Sequence, residues 1–333
     1  MTPKSRPTQQ TIAQLTGFAI TTVSKALRDD PKIAEVTRKR VAQVAAEIGY
    51  IPDRAAQRLR TGKTKIVSLI LDPHDEILGF GNSMISGIVK ALNGSGYNLT
   101  MTPHFSSDPQ SEDSVFQIVR NGLADGLLFS RTRLFDERVK FLFEQKFPFV
   151  THGRTEFAFK HSFVDYDNEF FAYQAARRLI DKGCKHLTIL LPASEFTFYQ
   201  HMHYGFARAV RENGVSYSLP NTVTLDSPID DLTKWGNQIA KMKDMPDGII
   251  CPGELSFLAF RSGMNDYGKL LGRDYQVVVK SNSPALKLID PSIDRIGEDI
   301  EEEGYMMGKN LLQLMDGDGD QVQQTLQQPQ LLY

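Results

Sequence analysis

An all-α head followed by two doubly wound, parallel-sheet α/β lobes is the fold class that this 333-residue sequence predicts. Three observations carry the prediction. Thr8 to Leu27 (TQQTIAQLTGFAITTVSKAL) has the pattern of a helix-turn-helix, two short helices broken at a glycine. From Lys65 onward, short apolar runs alternate with helical segments in two successive series, which is how buried parallel strands and their crossover helices read. Charge divides at the same place: residues 1–65 hold 13 Lys and Arg against 5 Asp and Glu, or +8, whereas the remainder holds 25 against 35, or −10. Only the head is suited to a polyanion.

In the head, Thr8 is placed to cap a helix over Gln9 to Thr16, with Ile12, Ala13 and Leu15 on one face, and Gly17 ends it. A second helix starts at Ile20, and its Val23 and Leu27, four residues apart, face the first. Ile20, Thr21 and Lys25 are then outward, on the helix that this motif lays in a DNA major groove. Periodicity alone leaves Ile20 open to core packing and Lys25 to a plain surface role. A third helix is expected from about Glu35 to Ile48, with Val36, Val41, Val44, Ala45 and Ile48 at helical spacing. Arg38, Lys39 and Arg40 in its first turns run against the helix dipole, and a nearby phosphate backbone supplies a reason for them. The basic stretch DRAAQRLRTGKT, residues 53–64, is helix-prone, but Leu59 is its only large apolar side chain. Such a segment orders only against something else.

The first strand series is KIVSLIL (65–71), YNLTMT (97–102), GLLF (126–129) and FVTH (149–152), and the second is LTILL (187–191), TVTL (222–225), GIIC (248–251) and QVVV (276–279). Ligands in open α/β sheets sit beyond the carboxyl ends of strands, so a cleft between the lobes is the expected binding place. Residues suited to holding a ligand stand at those ends: Asp72 and His74, Ser130 and Arg131, His152 and Arg154, then Phe198 to His201 (including Tyr199), Glu254, Lys280 and Asn282.

The motifs T-x-x-T-I-A-x-x-T-G, T-T-V-S-K-A-L, G-Y-I-P and A-Q-R-L-R-T-G-K-T occur in the order seen in the lactose-repressor and galactose-repressor family of bacterial transcription regulators. The chain resembles that family over nearly its whole length, most closely in residues 8–64. The resemblance implies a DNA-binding domain (1–52), a hinge helix and linker (53–63) and a periplasmic-binding-protein-like effector and dimerisation domain (64–333). Within the last, an N-lobe takes in about 64–164 plus 296–324 and a C-lobe about 165–295 plus 325–333. It further implies a homodimer on a pseudo-palindromic operator, with Ile20, Thr21 and Lys25 reading bases and Thr8, Thr22, Ser24 and Arg38 on the backbone. Leu59 of the hinge would wedge into the minor groove, with Ala56 allowing close approach and Arg54 beside phosphate. A small effector, sugar or sugar-like, would occupy the cleft against Asp72, His74, Arg131, His152, Arg154, Tyr199, His201, Glu254 and Asn282.

Several positions depart from the family pattern. Met202 stands where an effector-binding arginine is usual, Gly253 and Glu254 replace an Asn-Asp pair, and Lys280 to Ser283 replace Gly-Phe-Asp-Asp. In the head, Ala19 replaces the serine cap of the second helix, which weakens capping by about 1 kcal/mol. Asp53 stands where asparagine is usual. No cofactor or metal is expected. Gly79-Phe80-Gly81 lacks the third glycine of a dinucleotide fingerprint, no P-loop or nucleophile elbow occurs, and His201 with His203 lacks completing ligands. Glu301 to Glu303 read as a solvated helix face, and Cys184 and Cys251 as buried small residues. The N-terminus has no apolar signal core, which favours a cytoplasmic location. A transport solute-binding protein would not need the basic head, and no nucleophile–base or carboxylate pair marks a sugar-processing enzyme.

Overall fold

The computed structural model describes residues 7–51, 58, 61–71, 77–103, 114–317 and 322–333, in two compact units, Met1–Thr64 and Lys65–Tyr333. The first unit holds α1 (Gln9–Thr16), α2 (Ile20–Ala26) and α3 (Glu35–Glu47). Ile12, Val23, Ala26, Val41, Val44 and Ala45 form its core, with Phe18, Leu27 and Ile48 packed against it. Leu15 and Val36, both expected on inward faces, are instead 56% and 80% exposed. So small a bundle closes over the i, i+3 and i+4 positions nearest its centre and leaves the flanking ones outside.

The second unit contains two sheets of six strands. In the first, β1 (Ile66–Leu71), β2 (Asn98–Pro103), β3 (Gly126–Phe129), β4 (Phe149–His152), β5 (Phe163–Tyr166) and β11 (Gln324–Gln327) lie in the order β11-β5-β4-β3-β1-β2, all parallel. The second has β6 (His186–Ile189), β7 (Ser216–Ser218), β8 (Gly248–Cys251), β9 (Gln276–Ser281), β10 (Asp294–Gly297) and β12 (Gln330–Leu332) in the order β12-β10-β9-β8-β6-β7, with only β12 antiparallel. The chain leaves the first lobe after β5, returns after β10, and crosses once more between β11 and β12.

Alternate residues of each strand feed cores on opposite faces. Val67, Leu69 and Leu71 pack against α4 (Ile77–Leu92) and α12 (Ile300–Met315), while Ile70 faces α5 (Ser114–Arg120) and α6 (Glu137–Glu144). In the second lobe one core lies under α7 (Asn168–Asp181) and α8 (Thr197–Asn213), the other under α9 (Ile229–Lys241), α10 (Glu254–Asn265) and the short α11 (Ala285–Ile289). Gly205 is where α8 meets α7: a Cβ there would lie 2.1 Å from the Glu169 carbonyl oxygen, so only glycine permits this approach.

One expected strand is absent. Residues 222–225 form no strand, and β7 at Ser216–Ser218 takes the sheet edge beside β6 instead. Val223 and Leu225 still pack on the lobe core, so their apolar pattern reports burial and not a strand. Cys184 and Cys251 are buried and free, and burial pushes the Cys184 thiol up to about 11. No helix among the described residues is long and apolar enough to cross a membrane.

Candidate functional site

Two regions carry functional geometry. In the head, Thr8 and Thr11 form a reciprocal capping box on α1, and Gly17 (φ 74°) closes the helix by donating to the Ala13 carbonyl at 2.9 Å. Its successor α2 starts at Ala19 without a side-chain cap. The turn aims α2 so that Val23 is wholly buried while Ile20 is 48% exposed, with Thr21 and Lys25 beside it on the outer face. Ile20 is therefore a surface residue, which removes the core alternative. Thr22 and Ser24 are half-buried on its flanks. The Arg38 guanidinium is held by the Asp29 carboxylate, and Asp29 takes a left-handed backbone (φ 55°) next to it.

In the second unit, loops after β3, β4, β5, β8, β9 and β10 line a cleft of about 880 Å³, counted out to its open mouth. Across its rim the lobes touch. Arg131, with a left-handed backbone (φ 59°), pairs with Asp226 at 2.6 Å, and its guanidinium lies 4.3 Å from the Phe196 ring centre. The Thr132 carbonyl accepts from both the Thr197 amide (2.8 Å) and hydroxyl (3.0 Å), and Arg133 reaches Glu195 at 3.2 Å.

Deeper in, charges are paired in sequence. Arg154 lies 2.9 Å from Asp165, an ion pair without hydrogen-bond alignment, and its other nitrogen is 3.4 Å from His201 Nδ1. Lys280 meets Glu298 at 2.9 Å, and His152 Nε2 meets Glu303 at 2.7 Å. Phe80 stands edge-on to His152, ring centres 5.3 Å apart. Glu254, on the first turn of α10, accepts from the Ser281 hydroxyl (2.6 Å), the Ser283 hydroxyl (2.6 Å) and the Ser283 amide (3.2 Å). His152, Glu298 and Glu303 are close enough to surround a cation, but Lys280 already contributes a positive charge to that group.

Burial pushes Glu303 up to about 7 against the pull of His152, while burial, the largest single influence on His152, lowers it but is outweighed by Glu303, Glu298 and Asp165 together, so that His152 is raised. Both groups thus bind protons more tightly folded than unfolded, so their contribution to stability is present in acid and is lost as pH rises through the folded values. His161 and His201, lowered by burial to about 4, act in the opposite sense, and that effect is complete only about one pH unit above the ordinary histidine value near 6.5. Between pH 6.5 and 8 the share of stability due to Glu303 should therefore fall by about 1 kcal/mol, against a rise of similar size from His161 and His201. Thermal melting checks this by difference: the stability of wild type relative to Glu303→Gln should fall across that window, and a difference that does not change would contradict the assignment.

The family model for bacterial regulatory proteins of the lacI family matches residues 8–53, and that for a periplasmic binding protein-like domain matches 176–333. The chain thus carries a lacI-family DNA-binding domain and a periplasmic-binding-protein-like domain. Among its relatives are the HTH-type transcriptional regulator AglR of Rhizobium meliloti (strain 1021), 27% identical over 96% of this chain and 91% of AglR, and RafR of Escherichia coli, 27% identical over 90% and 88%. The fold matches the CelR–cellobiose complex (TM-score 0.68, 21% identity, 98% of this chain and 99% of that one) and the lac repressor dimer bound to operator and the anti-inducer ONPF (0.83, 17%, 99% and 98%). With these two domains it is a DNA-binding transcriptional regulator.

Of the strand-end residues named from the sequence, the cleft brings together Ser130, Arg131, His152, Arg154, Phe198, Glu254, Lys280 and Asn282. Tyr199 and His201 do not line it. The first turn of α8 presents Thr197 and Phe198 to the cleft, and its rotation stacks Tyr199 on His203 and sets His201 behind Arg154. Met202 is wholly buried in the lobe core, so this position offers the cleft no side chain at all. Asp72 and His74, like Arg54, Ala56 and Leu59, lie outside the described residues. Glu303 corrects the solvated-face reading: it is fully buried between Ile300 and Met307 on the inward stripe of α12. That spacing was the available signal, together with the polar residues Asp165 and Glu298 beside the crossing strands.

Proposed function

We propose that the chain is a cytoplasmic homodimeric repressor that reads a pseudo-palindromic operator and is controlled by a small carbohydrate in the interlobe cleft, and that it is not an enzyme. The observation that carries the reading is the outward row Ile20, Thr21 and Lys25 on a turn fixed by the Thr8–Thr11 box and Gly17. Ile20 supplies an apolar face for a thymine methyl, Thr21 a hydroxyl, and Lys25 a donor to guanine. Thr8, Thr22 and Ser24 take the backbone beside them, and Arg38 joins them once it leaves Asp29. The hinge roles of Arg54, Ala56 and Leu59 belong to the same proposal, Leu59 opening the minor groove. The similarity to the HTH-type transcriptional regulators AglR and RafR supports the regulatory reading, and the cellobiose bound to CelR supports a carbohydrate here.

The test is to select duplexes from a randomised pool with the full chain and titrate the winner across salt. Log affinity should fall linearly with log salt, with a slope of about −0.9 for each phosphate contact. Absence of salt-dependent duplex binding would refute the proposal.

A further inference from the structure

We infer that the cleft takes an uncharged, polyhydroxylated ligand and turns away its phosphorylated counterparts. The inference rests on the cleft being the effector site and adds the charge class of the effector. Among the described residues, each of the four cationic side chains lining the cleft already has a carboxylate partner: Arg131 has Asp226, Arg154 has Asp165, Lys280 has Glu298 and His152 has Glu303. A fifth carboxylate, Glu254, is ringed only by neutral donors from Ser281 and Ser283. Among the described residues the walls are therefore neutral in pairs and carry one charge more, and that charge is negative.

A phosphate entering this cleft would have to take a cation away from its partner. Asp165 and Glu298 have side chains only 4% and 5% exposed, and either would be left as a buried, unpaired carboxylate. Hydroxyl groups impose no such exchange. They can donate to the free lone pairs of Glu254 and to the outer lone pairs of the paired carboxylates, and can accept from the Asn282 amide, while every ion pair stays closed. Phe80, Phe198 and Leu225 supply the apolar surface that the C–H faces of a sugar ring need.

The experiment compares matched pairs on the full chain by thermal shift and calorimetry: cellobiose, maltose and ribose, each against its monophosphate. At least one parent should bind, and its phosphate should bind at least a hundredfold more weakly. A phosphate that binds as tightly as its parent would overturn the charge inference and leave the effector reading standing. Failure of all six to bind would overturn the carbohydrate reading itself, and this inference with it. Two variants locate the cause. Glu298→Gln releases the Lys280 ammonium and Glu254→Gln removes the surplus charge, and each should narrow the discrimination at least tenfold. Because Glu254 is partly exposed, its variant stays informative should Glu298→Gln fail to fold, and an unchanged ratio in Glu254→Gln would refute the account.

Discussion

Replacing Ile20, Thr21 and Lys25 together by alanine is expected to lower the affinity of the full chain for its selected duplex by about a thousandfold, to the level of non-specific binding. Each good base contact contributes about 1–3 kcal/mol of discrimination, and a dimer presents every contact twice. The head itself should survive the change. Ile20, Thr21 and Lys25 are all exposed, the core is made by Ile12, Val23 and the α3 valines, and alanine is the strongest helix former. Melting should stay where it is and the salt slope should persist, because the backbone contacts remain. Equal loss on selected and unrelated duplexes would move these residues to the phosphate backbone, and no loss would remove them from the interface.

The head was legible because short helices advertise themselves locally: a threonine cap, a breaking glycine and apolar residues at four-residue spacing are enough to aim α2. Where periodicity overreached, at Leu15 and Val36, the reason is the size of the bundle, too small to cover a whole stripe. In the lobes, continuous apolar runs located GLLF, FVTH and GIIC to the residue, since strands buried on both faces leave no alternation to misread. TVTL failed for the same reason in reverse, because a buried loop shows the same composition as a buried strand. The cleft was legible only as a set of strand ends. Which of those side chains converge depends on helix rotation, which sent Tyr199 and His201 elsewhere, and on partners far away in sequence. Glu303 meets His152 across 151 residues, a pairing that no local pattern encodes.

The second large effect is coupling between ligand and DNA. Contacts across the cleft rim, Arg131 with Asp226, Thr132 with Thr197 and Arg133 with Glu195, join the two lobes at the mouth through which a ligand must pass. A ligand wedged among these groups alters the free energy of one lobe arrangement relative to another, and such a difference is what an allosteric effector needs. The expected coupling is about 1–3 kcal/mol, or 5- to 150-fold in affinity, and it is reciprocal: DNA must change ligand affinity by the same factor. The direct measurement is the duplex affinity of the full chain, at fixed salt, without and with a saturating neutral saccharide identified by thermal shift. A change within that range, matched when saccharide affinity is measured with and without duplex, is the predicted result. A saccharide that saturates the cleft and leaves duplex affinity unchanged would contradict the account.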